Sequence, residues 1–316
     1  MEYLFMKPGE PWPQGRAPVL VDEFTEMFSM WVCRVLVTAD EERWAVKAAE
    51  VATGFATSII GAPMEGGLER RVSKDETPDG RPGAMVQMYH TDRVLLKGQL
   101  ANRLAQCILT CPTTAAFDGL PETRRRAKVG RSIAKFGDGF QVQDTLFGKS
   151  VWRIPVMDGE FIIEDSFGMK RAIAGGMFLI LASERRAGLM AAERAVEAIK
   201  TVPGVITPFP GGICRSGSKV GSLKYKLKAS TNHPFCPTIR AKIAHSLLPQ
   251  DVSSVYEIVI NGLSLKAVRL ALGKGIQAAL QIPGIVGITS TNYGGKLGQF
   301  RLSLREALEA IKEASP

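Results

Sequence analysis

VYEIVINGLSLKAVRLALGKGIQAALQIPGIVGIT, residues 255–289, decides how the fold is read. Val255 to Ile260 is β-branched and aromatic apart from one carboxylate, Glu257, and reads as a strand. Ser264 stands where a helix N-cap belongs, and apolar periodicity carries that helix to about Leu280. Pro283-Gly284 stops it before a second strand, Ile285 to Thr289.

The same punctuation lies upstream. Ala172 to Leu181 reads as a strand, and Ser183 is placed to cap a helix with apolar residues at Leu189, Ala192, Val196 and Ile199. Val202-Pro203-Gly204-Val205 then echoes Ile282-Pro283-Gly284-Ile285, and Gly211-Gly212 echoes Gly294-Gly295, which suggests duplication. The first half follows the same order. It has a strand at Val32 to Val37, a helix capped by Asp40 from Glu41 to about Thr53, and a strand at Ala56 to Ile60. A turn-rich loop at 75–83 leads to a strand at Ala84 to Tyr89, a helix at Val94 to Ile108 and a short strand at Pro112 to Phe117. Gly137-Asp138-Gly139 and Asp158-Gly159 read as hairpin turns. The expected fold class is therefore α+β, with two ferredoxin-like split β-α-β lobes. Residues 1–20 form a Pro-rich extension of irregular structure, 21–165 an N-terminal lobe with extra hairpins, and 166–316 a C-terminal lobe.

Composition is that of a soluble globular chain, with 45% hydrophobic residues and 22% charged. The apolar run Ile173 to Leu181 is too short to span a bilayer. The five cysteines have no CxxC spacing and the three histidines no ligand spacing, so a zinc site is not expected and reduced thiols in cytoplasm are. The net charge of +9 is uneven: from Glu197 to Asp251 there is no intervening acidic residue but eight Lys or Arg. That stretch points to an anionic substrate or partner, or to a solvated basic face. The basic residues lack interleaved aromatics, which argues against nucleic acid.

Glu257 is the first catalytic candidate, because period-2 alternation sets it on the face of Val255 and Val259, where a carboxylate must be paired, protonated or facing a cleft. The Gly/Ser-rich basic loop is the second: Gly211, Gly212 and Ser218 can present backbone N–H groups, while Arg215 and Lys219 add charge suited to phosphate or carboxylate. No Walker spacing is present, so the loop does not read as an ATP site. Asn292 and Lys296, beside Gly294-Gly295, are candidate donors to a carbonyl or oxyanion, or parts of a turn. Glu76 and Arg81 rank below Glu257 as substrate contacts.

Taken together, Arg34-Val35-Leu36-Val37-Thr38-Ala39, Glu76 to Gly83, Phe136-Gly137-Asp138-Gly139, Thr207 to Gly212, Ser216 to Ser222, Tyr256 to Ile260 and Asn292 to Gly298 resemble the formylmethanofuran:tetrahydromethanopterin formyltransferases. The motifs run in family order from about residue 22 to the C-terminus. The resemblance implies formyl transfer between tetrahydromethanopterin and methanofuran or methylofuran as substrates, with no metal or flavin held by this subunit. It also implies proton transfer by Glu257 and self-association as a dimer or tetramer. The Pro-rich start and the positive charge fit a bacterial member, working with a formyltransferase/hydrolase complex that contains a metal-dependent amidohydrolase. The alternative is a scaffold subunit that holds coenzyme without catalysing transfer.

Overall fold

The structure is a computed structural model and describes residues 3–13, 15, 17–215, 224–225 and 232–314. The first part of the chain runs β1 (Leu4–Met6), β2 (Val19–Val21), β3 (Phe24–Thr38), α1 (Glu42–Ala52), β4 (Glu65–Val72), β5 (Gly83–His90), α2 (Arg93–Arg103) and β6 (Ala115–Asp118). It continues through β7 (Arg126–Ala127), α3 (Val129–Ile133), β8 (Val142–Leu146), β9 (Lys149–Val156), β10 (Gly159–Glu164) and β11 (Phe167–Ala182). The last part is α4 (Arg185–Lys200), β12 (Val205–Ile206), β13 (Ser254–Gly262), α5 (Leu265–Leu280), β14 (Ile285–Thr289), β15 (Phe300–Ser303) and α6 (Leu304–Ala314). The chain is thus mixed α/β.

It divides into two compact units, Met30–Ala172 and Met1–Ser29 with Ile173–Pro316. The boundaries differ from the sequence reading: residues 1–29 belong with the C-terminal part, and residues 166–172 belong with the Met30–Ala172 unit. The reason for the first difference is visible in β15, which pairs antiparallel with the start of β3, Phe300 opposite Met27 and Ser303 opposite Phe24.

In the Met30–Ala172 unit the strand order is β4-β5-β3-β6, every pair antiparallel, and β10, β9 and β8 extend the sheet beyond β6. Cys33, Val35 and Val37 on β3 pack with Ala45, Ala48 and Ala49 of α1 and Leu96 and Leu100 of α2. The opposite face carries Leu36, Met85 and Phe117. Alternation along β3 thereby separates two apolar layers.

In the other unit the order is β12-β13-β11-β14, again antiparallel throughout, with β2 and then β1 added in parallel beside β14. Phe178, Ile180, Ile258 and Ile260 face α4 and α5 through Ala192, Val196, Leu272 and Ile276. The reverse face of the same strands carries Met177, Leu179 and Leu181, with Val255 and Val259 against them. The echo in the sequence is structural: Gly204 and Gly284 take φ of +79° and +88° in matching turns after α4 and α5, a region that side chains with a Cβ rarely enter.

Five local expectations are corrected. Asp40 does not cap α1; its carboxylate pairs with Arg81 at 2.9 Å, and the helix starts after Glu41 without a side-chain cap. Ser183 stands one residue ahead of the N-cap position of α4, which is Glu184, and its hydroxyl donates to the Gly284 carbonyl at 3.0 Å, whereas Ser264 does cap α5 through the Ala267 N–H. Residues 56–60 form no strand, because the pairing partner of β5 is the later segment β4. The hairpin turn before β9 is Phe147-Gly148, both at positive φ, while Gly137-Asp138 closes a short 3-10 turn. Finally, residues before Pro18 are not wholly irregular: Leu4, Phe5 and Met6 lie ahead of the prolines, keep their N–H groups and pair with β2.

Candidate active site

Glu257 sits where the alternation sets it, on β13 opposite Leu179 and on the face of Val255 and Val259, half-buried. One contact engages its carboxylate and another fixes its backbone. The Asn232 side-chain amide donates to Glu257 Oε2 at 3.1 Å. Glu257 also exchanges both backbone hydrogen bonds with Cys214, at 2.8 and 3.0 Å, which lays the end of the 211–215 segment alongside β13. A cavity of about 290 Å³ opens there, lined by Glu257, Asn232, Arg215 and Arg185 among others. A carboxylate held by an amide is equipped to move a proton, and the two arginines that line the same cavity can balance a developing negative charge.

Asn232 and Phe235 also border a larger cavity of about 650 Å³, whose far wall includes Thr289, Ser290, Thr291 and Asn292. The 292–298 loop that ends this wall hangs on Glu26. That carboxylate is 3% exposed and accepts backbone N–H groups from Tyr293 at 3.0 Å, Leu297 at 3.2 Å and Gly298 at 2.8 Å. Burial alone would raise the Glu26 pKa, but the backbone donors, Gly298 foremost, together hold it below the ordinary carboxylate value. Gly298 is required by the contact: a Cβ there would stand 2.7 Å from the Glu26 Cβ.

Residues 17–156 match the family model for formylmethanofuran-tetrahydromethanopterin formyltransferase, and residues 159–307 match the model of its proximal lobe. The chain belongs to this formyltransferase family. It is 49% identical over 292 residues to the formylmethanofuran--tetrahydromethanopterin formyltransferase of Methanocaldococcus jannaschii, covering 91% of this chain and 97% of that one. A bacterial relative of the same name, from Methylobacillus flagellatus, is 48% identical over 294 residues, with 91% and 97% covered. Among solved structures, the Methanosarcina barkeri formyltransferase superposes with a TM-score of 0.89 at 46% identity, over 93% of this chain and all of that one. A chain of the Methylorubrum extorquens formyltransferase/hydrolase complex, solved with methylofuran, gives 0.87 at 46% identity over 92% and 96%.

Within this formyltransferase family member, the residues singled out from sequence separate into groups. Glu257 and Arg215 share the smaller cavity. Gly211 and Gly212 form the turn leading to Arg215, with φ of +64° and +84°, and Gly212 is packed against Thr207 and Val196. Ser218 and Lys219 lie outside the described residues. Asn292 lines the larger cavity, but its amide donates to Glu23 at 2.8 Å and to the Phe24 carbonyl at 3.2 Å, while its oxygen accepts the Gly294 N–H. It shapes the turn. Lys296 is exposed and lines neither cavity.

Glu76 and Arg81 belong to the Met30–Ala172 unit, and each is engaged in its own loop. Glu76 pairs with Arg70 at 2.8 Å and completes a capping box with Ser73; the Arg70 hydrogen bond is the first of the influences lowering its pKa. Arg81 binds Asp79, Asp40 and the Thr113 carbonyl. Among the described residues no cluster of His, Cys, Asp and Glu is arranged to hold a metal ion, and no helix is long and apolar enough to cross a membrane. Sequence reasoning missed Asn232, Arg185 and Glu26. Only Glu26, a carboxylate in the apolar and hydroxyl-bearing first part of β3, residues 24–30, left the kind of signal that drew attention to Glu257.

Proposed function

We propose that this chain transfers a formyl group between tetrahydromethanopterin and methanofuran or methylofuran by direct attack of one coenzyme's amine on the other's formyl carbon. The observation that carries this reading is Glu257, held by Asn232 at 3.1 Å in a cavity shared with two arginines, in a member of the formyltransferase family. Attack forms the new C–N bond and a tetrahedral carbon with negative oxygen. Glu257 accepts the proton from the attacking nitrogen and returns it to the departing nitrogen as the old C–N bond breaks, so the carboxylate is regenerated. Arg185 and Arg215 supply positive charge to the oxyanion or to substrate carboxylates. Ser218 and Lys219 extend that basic segment in sequence and are assigned to substrate binding with Gly211 and Gly212. Asn292 and Lys296 shape the neighbouring loop, and Glu76 and Arg81 are kept as lesser substrate contacts.

The two strand orders, β4-β5-β3-β6 and β12-β13-β11-β14, support a reading as two ferredoxin-like lobes from a duplication, since each is the order of a split β-α-β motif. The likeness to a chain of the Methylorubrum extorquens formyltransferase/hydrolase complex supports a bacterial assembly. In that assembly the protein self-associates as a dimer or tetramer in the cytoplasm and partners a metal-dependent amidohydrolase. The test is transfer itself. Purified protein mixed with formyl-tetrahydromethanopterin and the furan coenzyme yields the formylated furan amine; absence of any transfer in either direction, with both coenzymes bound, contradicts the reading and favours a coenzyme-holding scaffold.

A further inference from the structure

The family match begins at residue 17, yet the residues before it are built into the molecule. β1 pairs in parallel with β2, and the Asp22 N–H donates to the Met6 carbonyl at 2.8 Å. The Trp12 ring lies against Gly287 on β14, where a Cβ would stand 2.8 Å from the indole. Between these two anchors the segment turns at Pro8-Gly9-Glu10, with the Glu10 carboxylate accepting the Lys7 N–H at 2.8 Å. That turn is one wall of the 650 Å³ cavity.

Two properties of the cavity define what it accepts. Its volume falls within the roughly 300–1,000 Å³ of small-molecule sites. Its polar lining among the described residues consists of hydroxyls, amides and the carboxylates of Glu10 and Glu23, and none of those described lining residues is Lys, Arg or His. From these described residues a phosphate or a glutamyl carboxylate gains no cation, whereas a ring or amine rich in N–H donors meets acceptors, and its apolar faces meet Met6, Trp12 and Phe235. The described lining of the smaller cavity differs in character, since Arg185 and Arg215 line it together with Glu257. Asn232 and Phe235 border both, so the donor-accepting cavity adjoins the proposed proton-transfer residue.

We propose that residues 3–13 form the specificity wall of a binding site for the N–H-bearing head group of one coenzyme, either the aminopterin ring or the furan amine. This rests on the formyltransferase reading for the identity of the ligand but not for the existence of the site. The experiment uses the full chain and two probes without anionic tails, 6-methyltetrahydropterin and furfurylamine, titrated against wild type, Trp12→Ala and Pro8→Trp. Trp12→Ala removes the aromatic face; Pro8→Trp fills the cavity from an exposed position and leaves the Trp12 anchor intact should the first variant fail to fold. One probe is expected to lose at least about tenfold in affinity in both variants, with the other unchanged, and the probe affected names the head group. Equal binding of both probes by wild type and Pro8→Trp, or binding of neither by wild type, overturns the proposal. Formyl transfer measured on the same wild-type preparation keeps the two readings separate. Transfer with wall-independent probe binding sinks the wall alone, and wall-dependent binding without transfer sinks the transferase reading alone.

Discussion

Asn232 donates its side-chain amide to Glu257 at 3.1 Å and borders two cavities, one with carboxylates and the other with arginines among its described lining residues. The pair joins a residue that the strand pattern singles out to one that it does not. Its consequence is positional: the carboxylate is aimed along the cavity wall by a neutral partner, which fixes its orientation while leaving it able to exchange a proton.

Removing that partner tests the positioning role. Asn232→Ala should lower kcat by about 10- to 100-fold, the range for one hydrogen bond to a charged group, with little change in KM. Asn232→Asp should be worse, because it sets a second carboxylate against Glu257. Steady-state kinetics with both coenzymes check the ordering, and a KM effect without a kcat effect contradicts it.

Charge in the smaller cavity is tested through Arg215. Arg215→Ala should weaken the coenzyme that presents its anionic group there by about 2 kcal/mol, or roughly 30-fold. The other coenzyme should bind as before. Isothermal titration of each, with circular dichroism as the fold control, reports the difference; the same comparison applies to Lys219→Glu.

The Glu26 anchor predicts a pH dependence. Its carboxyl is held below the ordinary value in the folded protein by the backbone donors, so its contribution is present above the unfolded-state value of 4.5 and is lost as pH falls through the folded one. Amide exchange in residues 293–298 should therefore quicken, relative to the strand amides of β13, as the solution is acidified below that range. Glu26→Gln should speed it at neutral pH by at least about tenfold, because an amide cannot accept from three backbone donors as a carboxylate does. Hydrogen-exchange mass spectrometry of the loop measures both.

Much of the fold is legible because it is local. The alternation of Val255 to Ile260 predicts both faces of β13, Ser264 caps α5, and the paired Pro-Gly turns after α4 and α5 share their left-handed glycines. What fails is local chemistry captured by a distant partner. Asp40 and Ser183 look like caps, but each stands one residue ahead of the N-cap position, and Asp40 pairs with Arg81 while the Ser183 hydroxyl donates to the Gly284 carbonyl. The site follows the same rule. Glu257 is visible as a charge in an apolar strand, whereas Asn232, 25 residues earlier, has no signature until β13 and the segment around it are brought together. Glu26 is visible in the same way as Glu257, but its role is not, since its three donors lie about 270 residues away in the loop between β14 and β15.

The central claim is that Glu257 moves the proton during formyl transfer. Glu257→Gln keeps the size of the side chain and an oxygen for Asn232 but cannot cycle a proton. Measured as single-turnover transfer with both coenzymes saturating, its rate should fall by about 10²- to 10⁴-fold, with dissociation constants nearly unchanged and one limb of the pH–rate profile lost. A Gln variant with the wild-type rate and pH profile would contradict the account and leave transfer to alignment and electrostatics alone.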